Sequence, residues 1–363
     1  MRSSAYIRGL TAIRGLAAWW IVSFHMREFL PAATPALLRA TAAHGYLAVD
    51  LFFILSGFVV ALSYGDWFGA VQPAPYFKFL SRRLARIYPL HLFMLLMFVA
   101  YAFGINVILK RGGLAGHFTP GYFAQSLLLV QNWGFNNGLE WNYPAWSIST
   151  EWFAYLIFPF FMVVLPRIVA TPRRLTLCAA ALLATLALLC QWQDTNLSGA
   201  ILHLGLPRCA LEFCAGVCLL RLHTLQPSLG RRRAFSIMAA ALACLVVTAI
   251  FDLPDYVLVP SGFALLIFAL ADPALALPRA WPWRALEWLG TVSYSTYMVH
   301  YLLKMVIKLA IERPGIPMPA ILAVYLPVLL AASAILYRAV EVPGRTRFRT
   351  LLGRPRPAYT NLH

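Results

Sequence analysis

Apolar runs of roughly 20 residues recur along the whole chain, at residues 7–30, 44–64, 86–109, 147–165, 175–192, 200–222, 234–251, 256–271, 286–311 and 319–339. Each is long enough to cross a hydrocarbon core about 30 Å thick. Backbone in lipid must satisfy its own hydrogen bonds, which leaves helices or a closed barrel. The runs are too long and too continuous for the alternating strands of a barrel. The pattern predicts an all-α, polytopic membrane helix bundle with about ten transmembrane helices.

The polar segments between the runs alternate in charge. Basic residues precede the first run (Arg2, Arg8) and lie between the second and third (Lys78, Arg82, Arg83, Arg86). They follow the fourth (Arg167, Arg173, Arg174), the sixth (Arg221, Arg231, Arg232, Arg233) and the eighth (Arg279, Arg284), and they close the chain (Arg338, Arg345, Arg347, Arg349, Arg354, Arg356). The other segments hold Trp133, Trp141, Asp194, Asp252, Asp255 and Glu312 with few cations. The positive-inside rule then places both termini in the cytosol. One transmembrane domain over residues 1–343 and a short basic cytosolic tail over 344–363 are expected. No internal repeat, low-complexity segment or second soluble domain is evident. The first run follows basic residues as a signal peptide would, but Arg14 interrupts it and many runs follow, so it reads as a retained helix.

Composition agrees. Of the 363 residues, 61% are hydrophobic and 12% charged, against about 25% charged in soluble domains. The formal charge of +17 would suggest nucleic acid in a soluble protein. Here the cations belong to short loops and no aromatic-studded basic module exists, so no nucleic-acid partner is expected. The six cysteines lie in apolar runs without CxxC spacing, which suits packing and supports neither a disulfide framework nor a metal site.

Ionisable residues at membrane depth are costly, so the few present are informative. Arg14 and His25 lie in the first run, eleven residues apart. Eleven steps of about 100° make three turns plus about 20°, so both share one helix face, about 16 Å apart along the axis. Asp50, in LAVDLFFILSGF, suits either a buried cation's partner or an interfacial group. Glu151, in PAWSISTEWFAY, is either a functional carboxylate or part of an N-terminal capping box with Ser147. Arg208 and Glu212 stand at i, i+4, where mutual neutralisation is the plain reading. His300 follows Ser293, Tyr294 and Tyr297 in SYSTYMVHYLLK, hydroxyls that also suit cross-helix packing. In FLSRRLARIYPLH, Arg82, Arg83 and Arg86 serve either topology or phosphate binding; Arg83 and Arg86 face one way if helical. By depth, a basic cluster with Arg14 above it leads to a gathering of His25, Asp50, Glu151 and His300. The loop 110–145, with Gln131, Asn132, Trp133, Asn136, Asn137, Trp141, Asn142 and Tyr143, suits an interfacial belt or sugar stacking.

At these residues the chain resembles the acyltransferase type-three family of membrane-integral O-acyltransferases, from about residue 10 to 343. LTAIRGLAAWWIVSFH is similar to the family's first helix, with ten residues between Arg and His. GYLAVDLFFILSGF resembles its second-helix pattern and SRRLARIYPLH its Arg-x-x-Arg region. PAWSISTEWFAYLIFP, GTVSYSTYMVH and VEVPGR resemble its Trp-Ser…Glu…Phe segment, late Ser-Tyr…Tyr…His helix and closing Glu-x-Pro. One departure is Ala154 between Phe153 and Tyr155. The resemblance implies transfer of an acyl group, commonly acetyl from acetyl-CoA or another acyl-CoA, to an extracytoplasmic carbohydrate, with no metal. It implies His25 as base or acyl carrier and Arg14 as its electrostatic partner or a cofactor contact. Arg83 and Arg86, with Arg82 beside them, become candidate cofactor-phosphate ligands, and Glu151 a second catalytic or orienting group. Asp50 is an alternative orienting carboxylate; His300, Ser293, Tyr297 and Arg208 are further candidates. The expected location is a bacterial cytoplasmic (inner) membrane. The fused hydrolase-like domain of some members is not expected, and acceptor choice is expected to lie in the chain's own loops or in partners.

The chemistry is consistent. A neutral imidazole takes a sugar hydroxyl's proton as it attacks a thioester, or carries the acyl group itself. The alternative class is a secondary transporter or lipid-linked sugar flippase, but the duplicated, broken helices common in transporters are absent from the sequence. A glycan polymerase lacks its outer acidic motif, and the His-to-Asp motif of glycerolipid acyltransferases is missing, since His44 and Asp50 are six apart.

Overall fold

A computed structural model describes residues 7–108, 117–278, 280–311 and 317–352. Arg2, Lys110, Arg279, Glu312, Arg354 and Arg356 lie outside the described residues, as does most of the tail. The described chain is helical and contains no strand. Its helices are α1 (Arg8–His25), α2 (Ala36–Ala43), α3 (Ala48–Tyr64), α4 (Pro73–Phe103), α5 (Pro120–Leu127), α6 (Trp146–Ile168), α7 (Pro172–Trp192), α8 (Gly205–Leu225), α9 (Arg231–Ile250), α10 (Asp255–Ala271), α11 (Trp281–Ile311), α12 (Met318–Leu336) and α13 (Val342–Leu352). Each apolar run overlaps one of them. Among the described residues six helical stretches are long and apolar enough to cross a membrane: Gly45–Trp67, Pro73–Asn106, Tyr143–Ile168, Pro172–Trp192, Arg231–Ile250 and Met318–Leu351. α10 is apolar but shorter. Two of the remaining long helices, α1 and α8, carry Arg14 and the Arg208/Glu212 positions, and these charges lower their apolar character.

Local chemistry sets several boundaries. Thr119 and Thr171 accept hydrogen bonds from Tyr122 N and Arg174 N and are followed by Pro120 and Pro172 at the first turn. A side-chain cap followed by proline is a strong helix start. Pro89, Pro159, Pro260 and Pro327 sit inside helices, as bundles permit when neighbours re-satisfy the backbone. The third run differs from expectation. Its helix begins at Pro73, not near residue 86, so Arg82, Arg83 and Arg86 are helical and not part of a loop. A π turn, Tyr337–Glu341, joins α12 to α13 and buries Glu341. Such turns often re-aim a functional side chain.

Two close crossings position the site. On α1 and α11, a methyl on Gly290 would overlap the Thr11 carbonyl, and one on Gly15 would come within 2.7 Å of Gly290 N. On α3 and α8, a methyl on Gly57 would overlap the Phe213 carbonyl and one on Gly216 the Ile54 carbonyl. Small residues let backbones touch, and in lipid that contact is a principal source of helix association. Arg8, donating to Glu287 at 2.8–2.9 Å, ties α1 to α11 near its start.

Candidate active site

The first crossing lays Arg14 and His25 of α1 along Ser293, Tyr297 and His300 of α11, and two cavities open beside this seam. The arginine cavity, about 180 Å³, is lined by Arg14, Arg83, Arg86, Ser56, Glu151, Ser293, Tyr294, Tyr297 and an apolar wall that includes Phe52, Leu55 and Val59. The histidine cavity, about 60 Å³, is lined by His25, Tyr46, Tyr143, Pro144, Trp146, Arg208 and Tyr297 among others.

In the arginine cavity, Arg14 Nη2 donates to Ser293 Oγ at 3.3 Å. Arg83 donates to the Tyr155 hydroxyl and lies over the Tyr155 ring, 4.4 Å from its centroid. That hydroxyl donates to Glu151 Oε1 at 2.5 Å, and Ser56 donates to the same oxygen. Arg86 pairs with the buried Glu341, which also accepts from Ser295 Oγ at 2.8 Å. Three guanidinium groups thus face two carboxylates, leaving positive charge beside an apolar wall. The Nε of Arg83 is buried without a partner among the described residues, an unused donor in a place that would suit a phosphate. Arg82 is not among the cavity's lining residues; its guanidinium stacks 4.7 Å from the Trp67 ring centroid.

In the histidine cavity, the His25 ring lies 5.0 Å from His300, 5.4 Å from Tyr301 and 6.1 Å from Tyr143, centroid to centroid. Tyr143 and Tyr301 stack at 5.7 Å. His300 is fully buried, with Nδ1 2.6 Å from the Tyr297 carbonyl oxygen. A carbonyl only accepts, so this nitrogen carries hydrogen, and in the neutral ring Nε2 keeps its lone pair. That Nε2 has no partner among the described residues.

The carboxylates settle elsewhere than depth alone suggested. Asp50 accepts both Nε and Nη2 of Arg208 at 2.8 Å, and Arg208 Nη1 donates to Leu197 O at 2.6 Å. The expected Arg208–Glu212 pairing is replaced by this fork between helices, because two parallel bonds to one carboxylate satisfy the guanidinium better than one bond along a helix. Glu151 forms no capping box: the N-cap of α6 is Ala145 with no side-chain bond, and Ser147 Oγ donates to Pro144 O. Glu151 turns to Ser56 and Tyr155, Asp50 to Arg208. The ring nearest His25 is instead His300.

The acyltransferase domain family matches residues 7–338. The chain belongs to this family. It is similar to the acyltransferase MdmB of Streptomyces mycarofaciens, 30% identical over 97% of this chain and 94% of that protein. The peptidoglycan O-acetyltransferase OatA of Listeria monocytogenes serovar 1/2a is 24% identical over 82% of this chain and 49% of its own length. YrhL of Bacillus subtilis (strain 168) is 24% identical over 94% of this chain and 55% of its own length. The chain therefore spans about half the length of these last two relatives. No solved structure matches it.

Sequence reasoning did not single out Ser56 or Tyr155 as site residues, met Glu341 only within the closing Glu-x-Pro motif, and placed Tyr143 in a loop suited to an interfacial belt or sugar stacking. A signal existed for Glu341, a lone carboxylate in the basic segment YRAVEVPGRTR.

Proposed function

We propose that this chain is a multi-pass O-acyltransferase of a bacterial cytoplasmic membrane, with about ten crossings and both termini cytosolic. It moves an acyl group, acetyl in the first instance, from cytosolic acyl-CoA to a hydroxyl of an extracytoplasmic carbohydrate. The observation that carries this reading is the adjacency of a cationic, partly apolar cavity and a histidine cavity that share a wall. The first suits a phosphate-bearing donor with an apolar arm. Arg83 and Arg86 are the proposed phosphate ligands, and Arg14 steadies charge nearer the thioester. The second suits a hydroxyl acceptor, with Tyr143, stacked on Tyr301, offering an aromatic face to a sugar. The names of the relatives, one of them a peptidoglycan O-acetyltransferase, support the same class.

In the reaction, the acceptor oxygen forms a bond to the thioester carbonyl carbon while His25 takes the hydroxyl proton. The C–S bond then breaks and the thiolate leaves, collecting that proton. His300, its lone-paired Nε2 free, is the positioning group that accepts a hydrogen bond from the protonated His25. Transfer is direct in this reading; an acyl group trapped on His25 and competent to pass to acceptor would replace it with a covalent route.

The test is free-thiol release from acetyl-CoA by purified protein, with and without a surface-glycan acceptor. Acceptor-dependent release and an acetylated glycan are expected; uptake of labelled sugar into liposomes without acyl chemistry would favour a transporter instead. Within this assay, His300→Phe is expected to lower kcat about 10–100-fold, the worth of a hydrogen bond to a charged group, with donor KM unchanged and partial recovery in His300→Gln. Arg83→Lys keeps the charge but loses the planar fork. It is expected to raise KM for acyl-CoA about tenfold while acceptor KM stays constant.

A further inference from the structure

Two residues, Val49 and Tyr297, line both cavities. Tyr297 is held from several directions. Its hydroxyl donates to the Pro144 carbonyl at 2.8 Å and lies 2.7 Å from Ser147 Oγ. Phe52 meets its ring edge-on at 6.2 Å. Its own carbonyl accepts from His300 Nδ1 at 2.6 Å. One side chain thus fills the wall between the cavities and latches onto the turn leading into α6, while its backbone fixes the imidazole beside His25. The latch matters because Pro144 lines the histidine cavity and Ser147 the arginine cavity. A phenylalanine would fill the wall equally well. The hydroxyl adds a fastening, one hydrogen bond donated to Pro144 O with Ser147 Oγ alongside, that can release and remake.

The wall has a chemical task. A 60 Å³ cavity with polar walls exceeds the 10–15 Å³ or so that one water needs. Water beside His25 competes with a sugar hydroxyl for the same thioester. Its oxygen would bond to the carbonyl carbon, the C–S bond would break, and acetic acid and free thiol would leave with the two water protons shared between them. We propose that Tyr297 is the gate between donor and acceptor chambers. Latched to Pro144 and Ser147 it withholds the thioester from water, and it swings aside to admit the acyl group when the acceptor fills the histidine cavity. Tyr297 is therefore a positioning residue that decides transfer against hydrolysis. This inference rests on the function proposed above.

The experiment follows labelled acetyl-CoA into two products, free acetate and acetylated acceptor. Wild-type protein is expected to release little acetate without acceptor. Tyr297→Ala is expected to raise the acetate-to-ester ratio about 30-fold, more than the tenfold or so that one lost hydrogen bond is worth, because the bulk goes with the latch. Tyr297→Phe is expected to raise it less, because bulk remains and only the latch is gone. Val49→Ala opens the same wall from the other side, is the milder change and leaves the His300 contact intact, so it serves if Tyr297→Ala does not fold. A rise in either variant supports the gate. Folded variants at both positions with the wild-type product ratio would overturn it while leaving the transferase reading in place. A wild-type protein that acetylates no acceptor would overturn the transferase reading itself, and the gate with it.

Discussion

His25→Ala protein, folded and purified in detergent, is expected to lose acceptor-dependent thiol release by about 10²–10⁴-fold, the usual worth of a positioned proton acceptor. His25 is an imidazole lining the histidine cavity, at the last turn of α1. The substitution falls where the helix is already ending, so the bundle should survive it. Two controls sharpen the result. Added imidazole can enter the space left by the ring and should restore part of the rate. Binding of a non-reactive CoA analogue should be unchanged, since the arginine cavity is lined by other residues. Full activity in a folded His25→Ala protein would remove His25 from the mechanism without touching family membership.

The second large effect is on stability. Asp50 and Arg208 are 0% and 1% exposed and joined by two bonds of 2.8 Å. Asp50→Leu leaves the guanidinium buried and unmatched, which costs about 3–5 kcal/mol. Arg208→Met alone strands the carboxylate in the same way. The double variant Asp50→Leu with Arg208→Met removes both charges and is expected to recover most of the loss, since replacing a buried pair by apolar groups is often neutral, while the Leu197 carbonyl that Arg208 served is left without its donor. Unfolding midpoints of the four proteins in one detergent would measure this cycle. Activity of the double variant then separates two roles. Restored stability with restored transfer makes the pair a strut; restored stability without transfer gives Asp50 or Arg208 a part in the chemistry, because Arg208 also lines the histidine cavity.

Features carried by one helix were legible in the sequence. The Arg14–His25 face follows from helical period, and the structure sets both along α11. Arg83 and Arg86, expected to face together if helical, do line one cavity. What was not legible is which helix faces which. Asp50 meets Arg208 across 158 positions and Arg86 meets Glu341 across 255, and nothing in the spacing of either partner announces the other. The i, i+4 neighbour of Arg208 was the visible option, and the geometry of a guanidinium fork displaced it. Depth alone put His25, Asp50, Glu151 and His300 in one group. Lateral packing keeps His25 with His300 and sends Glu151 to the arginine cavity.

The glycine contact between α1 and α11 has a consequence for the order of assembly. Arg14 finds its seat only when Ser293 and Gly290 exist, and they lie some 275 residues further along the chain. At about 5–20 residues per second of synthesis, the first helix waits on the order of tens of seconds for its partner. During that interval its arginine has no Ser293 to meet and must be sheltered by the insertion machinery or reach for the headgroups. Completion of the candidate site therefore waits on the synthesis of α11. α1 is completed by α11, and a chain stalled before residue 290 would carry α1 to α10 without the seam that holds the candidate site.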